Sequence, residues 1–279
     1  MSIYDNKFEN IMIVSDIDRT FLSDESKVVK RNIERIEYFK KHGGLFTFAT
    51  GRMKPNVKHL MNDVESIVNL PVITCNGACI YDFARDRVTE ETFLDTDTAL
   101  EMLSFVRASF PEVGVRMSIR EGILAENSGN EYLTYDLGRC PKDAVRLAPF
   151  EKWGEYRMYK AVFRCDSSTL DSVREAIDSR FPRAFELSKS SSTFLEAQTY
   201  GLNKASIMKK MAADRSKATG IKMQVYAAGD YENDIEMLKA ADVAVCPSNA
   251  LDKVKAICDL CLCSNNEGVI ADLIDILDK

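Results

Sequence analysis

Two aspartates and a threonine follow a short apolar run in residues 11–20, which are Ile-Met-Ile-Val-Ser-Asp-Ile-Asp-Arg-Thr. Residues 11–14 are too few for a helix and rich in β-branched side chains, so they predict a strand buried on both faces. Ligands bind beyond the carboxyl ends of such strands, where Asp16 and Asp18 would lie. Two carboxylates so close repel each other unless a cation such as Mg²⁺ compensates them. A polar turn after a strand is the alternative, and this segment alone leaves both interpretations open.

Composition excludes several classes of function. The chain has 279 residues, with 37 Lys+Arg against 43 Asp+Glu and a formal net charge of -6. This balance gives no electrostatic footprint for nucleic acid or an anionic membrane. The two histidines, His42 and His59, both fall on predicted helices, which argues against histidine-based catalysis. We therefore expect neither a nucleic acid nor a membrane as partner, and the composition leaves the oligomeric state open.

The cysteines and the N-terminal sequence bear on the cellular compartment in which we expect the protein. No basic segment followed by an apolar run opens the chain, and no later stretch reaches membrane-spanning length, so we expect a soluble cytoplasmic protein. Most of the eight cysteines are then small buried hydrophobes rather than disulfide partners. Cys258, Cys261 and Cys263 form a local cluster without a second Cys/His pair at zinc-finger spacing. Structural burial is favoured over metal binding there.

Strand and helix patterns alternate in the first 80 or so residues. Apolar spacing in residues 27–42 predicts a helix, residues 45–49 a strand, and Pro55 the start of a helix that continues to residue 64. A third strand follows at residues 72–75. The same alternation returns after residue 204. The predicted fold class is α/β, with a Rossmann-like, doubly wound parallel-sheet core.

The pattern changes in the middle of the chain, where strand-like segments show more alternation between apolar and polar residues. Residues 188–192, rich in serine, are assigned to a surface turn. The change predicts a separate α+β domain inserted into a split core. The predicted division is a discontinuous core, residues 1–83 and 196–279, and an inserted α+β cap domain, residues 84–195.

Polar clusters stand at the ends of predicted core strands or at the starts of core helices. In a parallel sheet they converge on one edge. They are Asp16, Asp18 and Thr20; Thr50, Gly51 and Arg52; Lys204; and Asp230, Asn233 and Asp234.

The residue types in these clusters suit phosphoryl transfer. Asp16 would attack phosphorus and form an aspartyl-phosphate, and Asp18 would protonate the leaving alcohol and later activate water. Thr50 and the backbone N–H of Gly51 would hold phosphate oxygens, while Lys204 supplies positive charge.

The same clusters suggest a metal site. Asp230 and Asp234, together with Asp16, would bind Mg²⁺, which prefers carboxylate oxygens.

The order of these motifs resembles the haloacid dehalogenase superfamily across the whole predicted core. The size and position of the insertion, the Cys-Asn-Gly-Ala segment from Cys75 and the Asn203-Lys204 pair look like Cof-type phosphatases with a type IIB cap. The resemblance implies Mg²⁺-dependent hydrolysis of small phosphorylated metabolites, sugar phosphates in particular. It also implies that the backbone carbonyl of Asp18 is a metal ligand. The candidate substrate-binding residues are Thr20, Gly51, Arg52, Asn76, Asn233 and Asn249.

One departure from the family pattern concerns Arg19, which stands where members usually have glycine. A long cation beside the nucleophile would bind an anionic substrate or point to solvent, and the sequence leaves this open. Two alternatives to hydrolysis also remain: phosphotransferase or phosphomutase activity, and a non-catalytic sugar-phosphate sensor. The intact nucleophile and acid argue against the sensor. The substrate, the cap residues that select it and the physiological direction of transfer are not encoded in any motif.

Overall fold

Strands and helices alternate along the computed structural model of the chain, which describes residues 6–127 and 129–279. Within these residues, no helix combines the length and the apolarity needed to cross a membrane. The strands are β1 (Ile11–Ser15), β2 (Leu45–Phe48), β3 (Val72–Thr74), β4 (Cys79–Asp82), β5 (Arg87–Glu91), β6 (Gly114–Ile119), β7 (Gly122–Ala125), β8 (Val145–Leu147), β9 (Met158–Arg164), β10 (Phe185–Ser191), β11 (Phe194–Thr199), β12 (Gln224–Ala228), β13 (Val243–Pro247) and β14 (Leu260–Leu262). The helices are α1 (Lys30–Lys41), α2 (Lys54–Leu60), α3 (Val64–Ile67), α4 (Thr96–Ser109), α5 (Glu131–Gly138), α6 (Ser167–Arg180), α7 (Lys204–Thr219), α8 (Ile235–Ala240), α9 (Asp252–Lys255) and α10 (Val269–Leu277).

Two compact units make up the fold. The core unit contains the chain up to Gly51, Leu60–Glu90 and Asn203–Lys279. The inserted unit contains Arg52–His59 and Glu91–Leu202.

A five-stranded parallel sheet with the strand order β14-β13-β12-β1-β2 forms the centre of the core unit. Every residue of β1 is buried, as expected for a strand covered on both faces. A parallel bridge between Ala49 and Ile73 joins β3 to the β2 side of this sheet. The arrangement confirms the predicted α/β class with a parallel-sheet core.

The prediction of one continuous helix from Pro55 to residue 64 is wrong. The structure has two short helices there, α2 and α3, separated by residues 61–63, which include Asn62 and Asp63. The side chains of Asn and Asp compete for backbone hydrogen bonds, which favours helix ends over helix interiors.

The inserted unit has its own six-stranded sheet, in the order β10-β11-β9-β6-β7-β8. Its pairs are antiparallel except for β7 with β8. One face packs against α4 and α6, and the apolar core between them includes Met117, Phe163, Leu103 and Val173. The α+β character expected for the insertion is confirmed.

Residues 188–191 belong to a strand, and only Ser192 of the predicted surface turn lies in a turn. Phe185–Ser191 form β10, which pairs with β11 along its length. Because β10 lies at the edge of the sheet, polar side chains are tolerated there and discourage pairing with other chains. Lys189 is also anchored, since its Nζ donates to the Ser167 carbonyl oxygen at 3.0 Å.

The expected burial of Cys258, Cys261 and Cys263 is wrong for Cys261, which is exposed. Cys261 lies in β14, the strand at one edge of the core sheet, and an edge strand is covered by a neighbouring strand on one side only. Cys258 and Cys263 are half-buried.

The two ends of the insertion differ from the predicted boundaries because of strand pairing. After residue 83 the chain forms β5, which extends the β3-β4 hairpin, so the core unit continues to Glu90. After residue 195 the chain remains in β11, which pairs with β9, so the inserted unit continues to Leu202. A third difference is that Arg52–His59 group with the inserted unit.

The sheet face opposite α4 and α6 is polar. Successive strand residues point to opposite faces, so Lys160 lies on the face opposite its neighbour Ala161, which is in the apolar core. Its Nζ donates to Oε1 of Glu196 at 2.5 Å, and both side chains are buried. The pair therefore holds two charges away from water.

We predict that Glu196→Gln lowers the free energy of unfolding by about 3 kcal/mol, because it removes the carboxylate charge that the buried Lys160 ammonium contacts. Urea denaturation monitored by circular dichroism measures the change. The matched control is Glu34→Gln, which removes the partner of Lys30 in an exposed pair on α1. The control should change stability by less than about 0.5 kcal/mol. Equal effects in the two variants would contradict the prediction.

Candidate active site

Four polar residues follow the carboxyl ends of adjacent core strands. Asp16 follows β1, and its N–H donates to the Ala228 carbonyl oxygen at 2.8 Å. Thr50 lies just beyond β2, while Asp230 and Asn249 lie just beyond β12 and β13. Since these strands are parallel neighbours, their ends meet at one edge of the sheet.

The ammonium of Lys204 joins two of the carboxylates. Its Nζ lies 2.6 Å from Oδ1 of Asp16 and 2.7 Å from Oδ1 of Asp234. The lysine is the first residue of α7, whose N-terminus is capped by Asn203: the Asn203 side chain accepts a hydrogen bond from the Ser206 N–H at 3.0 Å. Capping thus fixes the backbone from which Lys204 projects.

Burial and charge act in opposite directions on Lys204. The side chain is 1% exposed, and burial by itself would lower its pKa. The carboxylates of Asp16 and Asp234 outweigh burial and raise the pKa of Lys204 above its usual value. The lysine is therefore a fixed positive charge at this edge of the sheet.

Asp234 also organises the turn that carries Asp230. Its Oδ2 accepts hydrogen bonds from the N–H groups of Asp230, at 3.0 Å, and Tyr231, at 3.2 Å. A Cβ on Gly229 would lie 2.5 Å from both Cβ and Cγ of Asp234. Only glycine allows the backbone to approach the carboxylate this closely.

Asp16, Asp230 and Asp234 form a buried acidic trio. One carboxylate oxygen from each lies within 4.8 Å of the others. Burial raises the pKa of Asp230 to about 7, with a further contribution from Asp234, against the lowering effect of a hydrogen bond from Thr20. Burial likewise raises the pKa of Asp16 well above its usual value, and Lys204 opposes the shift. Three carboxylates beside one ammonium leave an excess of negative charge. Their oxygens form a donor set that fits a hard divalent cation.

The turn at Ile17–Phe21 places Asp18 and Arg19. Asp18 is partly buried and its side chain is outside the acidic trio. Arg19 has a left-handed backbone, with φ 57° and ψ 8°, which explains why glycine suits this position. Its side chain is 55% exposed, and Nε lies 3.9 Å from Oδ2 of Asp230. The arginine thus contacts the edge of the trio from the solvent side.

Thr20 and Asn249 form hydrogen bonds with residues of the site. The Thr20 hydroxyl donates to Oδ1 of Asp230 at 3.1 Å. The Asn249 amide donates to the Arg19 carbonyl oxygen at 2.9 Å and accepts from the Asn265 N–H at 2.9 Å. Both residues hold the Ile17–Phe21 turn, and their part in substrate binding stays a prediction.

Thr50 and Asn76 are connected through the backbone. The Asn76 N–H donates to the Thr50 carbonyl oxygen at 2.9 Å, and both residues are buried. Asn76 has a φ of 55°, and Gly77 follows with a φ of 110°. A Cβ on Gly77 would lie 2.8 Å from the Asn203 carbonyl oxygen. This loop therefore packs closely against the start of α7.

The remaining predicted site residues are Gly51, Asn233 and Arg52. Gly51 ends the first segment of the core unit, and Asn233 lies partly buried in the 3₁₀ turn that contains Asp234. Arg52 belongs to the inserted unit. Sequence reasoning missed Asn265, which is fully buried, donates to the Leu22 carbonyl oxygen at 3.0 Å and supports Asn249. It lies in an irregular loop, where no periodic pattern marks it.

Comparisons with known proteins agree with this geometry. The family model for haloacid dehalogenase-like hydrolases matches residues 13–274. Two proteins of Bacillus subtilis, YcsE and YwtE, both named 5-amino-6-(5-phospho-D-ribitylamino)uracil phosphatase, are 25% and 24% identical over 98% and 95% of this chain. The matches cover 98% and 97% of those proteins. The structure of the subclass IIB sugar phosphatase BT4131 superposes with a TM-score of 0.79 at 21% identity, covering 96% of this chain and 98% of that one.

The chain therefore belongs to the haloacid dehalogenase-like hydrolase family. Within it, the parallel core with an inserted α+β unit has the Cof-type organisation. The protein is an enzyme of the phosphatase class.

We predict that Arg19→Gly raises the free energy of unfolding by about 1 kcal/mol, because the left-handed conformation strains a residue with a Cβ. Urea denaturation measures the change. The control is Lys209→Gly, at an exposed interior position of α7, which should lower stability by about 1 kcal/mol. A loss of stability in Arg19→Gly would show that the contact with Asp230 outweighs the backbone strain.

A second prediction concerns the pH dependence of stability in chelator-treated protein. The pKa of Asp230 is about 7 in the folded chain and 3.8 as the reference for the unfolded one. The folded state thus binds the Asp230 proton more tightly than the unfolded state does. The stabilising effect of this proton is complete below pH 3.8 and is lost as pH rises to about 7.

Asp230→Asn removes this titration. Relative to the native chain, the variant should gain about 2 to 4 kcal/mol of unfolding free energy between about pH 4 and pH 7.5. Urea titrations across this pH range, with Asp178→Asn on the exposed side of α6 as control, measure the difference. Parallel pH profiles for the native chain and Asp230→Asn would refute the assignment.

Proposed function

We propose that this protein is a Mg²⁺-dependent phosphatase of small phosphorylated metabolites, sugar phosphates in particular, that acts through an aspartyl-phosphate. The observation that carries the proposal is the Lys204 ammonium, held between the carboxylates of Asp16 and Asp234. It places a permanent positive charge beside the proposed nucleophile, where negative charge accumulates during phosphoryl transfer.

Each step of the reaction has a residue suited to it. An oxygen of Asp16 attacks phosphorus, and the bond to the leaving alcohol breaks as Asp18 gives that alcohol a proton. Asp18 then takes a proton from water, which attacks the aspartyl-phosphate, releases inorganic phosphate and restores Asp16. Partial exposure of Asp18 suits this exchange of protons with substrate and water. Thr50 and the Gly51 N–H are the proposed donors to the phosphate oxygens.

The metal part of the proposal rests on the acidic trio. Asp16, Asp230 and Asp234, with the carbonyl of Asp18, would hold Mg²⁺, which prefers oxygen ligands. When bound, the ion neutralises charge on the carboxylates and on the transferring phosphoryl group. Lys204 shares this neutralisation and remains charged because two carboxylates flank it.

The substrate class is supported by the names of similar proteins. The two Bacillus subtilis relatives are named for a phosphorylated ribityl compound, and BT4131 is named a sugar phosphatase. Both names describe a phosphate ester on a polyhydroxylated carbon chain. We assign the choice among such esters to the inserted unit, which includes Arg52, and keep Asn76, Asn233 and Asn249 of the core unit as candidate substrate contacts.

We predict that Asp16→Asn lowers Mg²⁺-dependent phosphate release by on the order of 10³-fold or more, because the amide cannot serve as the nucleophile. The measurement is the rate of phosphate release from pentose and hexose phosphates, the phosphorylated ribitylaminouracil and an aryl phosphate. Each substrate is assayed with Mg²⁺ and with chelator. Asp178→Asn is the control and should retain the native rate.

The outcomes separate the competing functions. No phosphate release by the folded native chain, combined with calorimetric binding of a sugar phosphate, would favour a sensor. Transfer of labelled phosphate to a second sugar hydroxyl would favour a phosphotransferase or mutase. Metal-independent turnover that survives Asp16→Asn would contradict the mechanism.

A further inference from the structure

The polar face of the inserted sheet carries two arginines close together. Arg164 of β9 is the direct partner of Gly114 in the antiparallel strand β6, and Arg116 lies two residues further along β6. Paired residues, and residues two apart along a strand, point to the same face of a sheet. The next residue along β6, Met117, belongs to the apolar core on the other face. The two arginines are therefore diagonal neighbours, at a spacing that long side chains can bridge.

Helix α5 covers this part of the face. The Asn130 side chain caps the helix by accepting from the Leu133 N–H at 3.0 Å, and Nδ2 of Asn130 donates to the Glu112 carbonyl oxygen at 2.6 Å. A Cβ on Gly114 would lie 2.6 Å from Oδ1 of Asn130 and 3.0 Å from Cβ of Leu133. Glycine at this position thus lets the helix pack directly on the strand beside the two arginines.

Neutral groups hold the guanidinium of Arg164. Its Cζ lies over the ring of Phe194, 3.4 Å from the centroid, and its Nη1 donates to the Thr193 hydroxyl at 3.3 Å. Arg164 is 3% exposed, and its buried Nε has no hydrogen-bond partner among the described residues. A guanidinium that stacks on a ring keeps its N–H groups directed outward in its own plane. The orientation of Arg164 is therefore fixed while one of its donors stays unused.

The buried charges of this face do not balance. Nε of Arg116 donates to Oδ2 of Asp136, on α5, at 2.5 Å, and Lys160 is paired with Glu196. In the described part of the chain, Arg164 forms no ion pair. An arginine does not release its proton in a protein, so one positive charge is in excess. A water molecule satisfies a donor but does not neutralise a charge, and a buried charge without a counter-charge destabilises a fold.

We propose that Arg116 and Arg164 bind a small oxyanion, a carboxylate or phosphate group, on the polar face of the inserted sheet. The planar fork of a guanidinium matches the paired oxygens of such groups. The oxyanion supplies the negative charge that this face lacks and an acceptor for Nε of Arg164. Both arginines belong to the inserted unit, whereas the acidic trio belongs to the core unit. The oxyanion is either a free ion or a second charged group of the substrate.

The test is a calorimetric titration of the full native chain with sulfate, in chelator and with chloride holding the ionic strength constant. We expect saturable binding of one sulfate per chain. Arg164→Gln should weaken this binding by about 10-fold or more, because it removes the charge-assisted hydrogen bonds of one guanidinium. The matched control is Arg146→Gln, which should bind sulfate as the native chain does. Arg146 is exposed and is paired with Leu124, whose side chain lies in the apolar core on the other face.

Asp136→Asn should change the affinity in the opposite direction. This substitution removes the negative charge that competes with the oxyanion for Arg116, so sulfate binding should tighten by on the order of 10-fold. A variant whose fold was merely damaged would bind sulfate more weakly, so a gain in affinity identifies the electrostatic effect. Circular dichroism of each variant establishes that it is folded.

Phosphate release distinguishes the two sources of the oxyanion, and this arm rests on the proposed function. The substrates are 6-phosphogluconate and sorbitol 6-phosphate, of which only the first has a carboxylate. If the oxyanion belongs to the substrate, Arg164→Gln should raise KM about 10-fold for 6-phosphogluconate and leave KM for sorbitol 6-phosphate unchanged. If it is a free ion, sulfate should change both rates in the native chain and neither rate in Arg164→Gln. Absence of turnover would contradict the proposed function and leave the sulfate result standing.

Two results would overturn the proposal. One is a folded native chain that shows no saturable binding of sulfate. The other is an equal affinity for sulfate in the native chain, Arg164→Gln and Asp136→Asn, since the two arginines would then serve the packing of α5 on the sheet alone.

Discussion

The contact of the Lys204 ammonium with Asp16 and Asp234 is the interaction on which the site depends. A buried charge without a partner destabilises a fold by several kcal/mol, and here each of the three charges has one. The contact also joins three distant parts of the chain: the end of β1, the start of α7 and the turn after β12. Their relative positions are therefore fixed by electrostatics as well as by the apolar core.

The same site holds more negative charge than one lysine can balance. The pKa of Asp230 is raised to about 7 by burial, and that of Asp16 is raised for the same reason. Such an arrangement favours binding a cation over stability of the cation-free fold, a conflict common at functional sites. Two neighbouring residues fix the geometry of the site. Gly229 leaves room for the Asp234 side chain, and the Thr20 hydroxyl orients Asp230.

Backbone contacts from amide side chains position the surrounding loops. Asn203 caps α7, and Asn249 binds the carbonyl of Arg19 in the turn after β1. Asn265 in turn supports Asn249. These contacts explain how an arginine with left-handed backbone is retained three residues after Asp16. They also show that a residue such as Asn265 can support the site through another residue.

Local sequence determined the class of the sheet and the chemistry at its edge. A short β-branched run specified β1 and a short apolar run, residues 225–228, specified β12, and the aspartates after them fell at the carboxyl ends of the strands. Tertiary structure decided the role of residues 188–191, which belong to an edge strand although their polar pattern predicts a turn. It also decided the domain boundaries and the pairing of β13 with β14. The physical reason is that periodicity and turn chemistry depend on neighbours a few residues away, whereas strand pairing and burial depend on segments that only folding brings together.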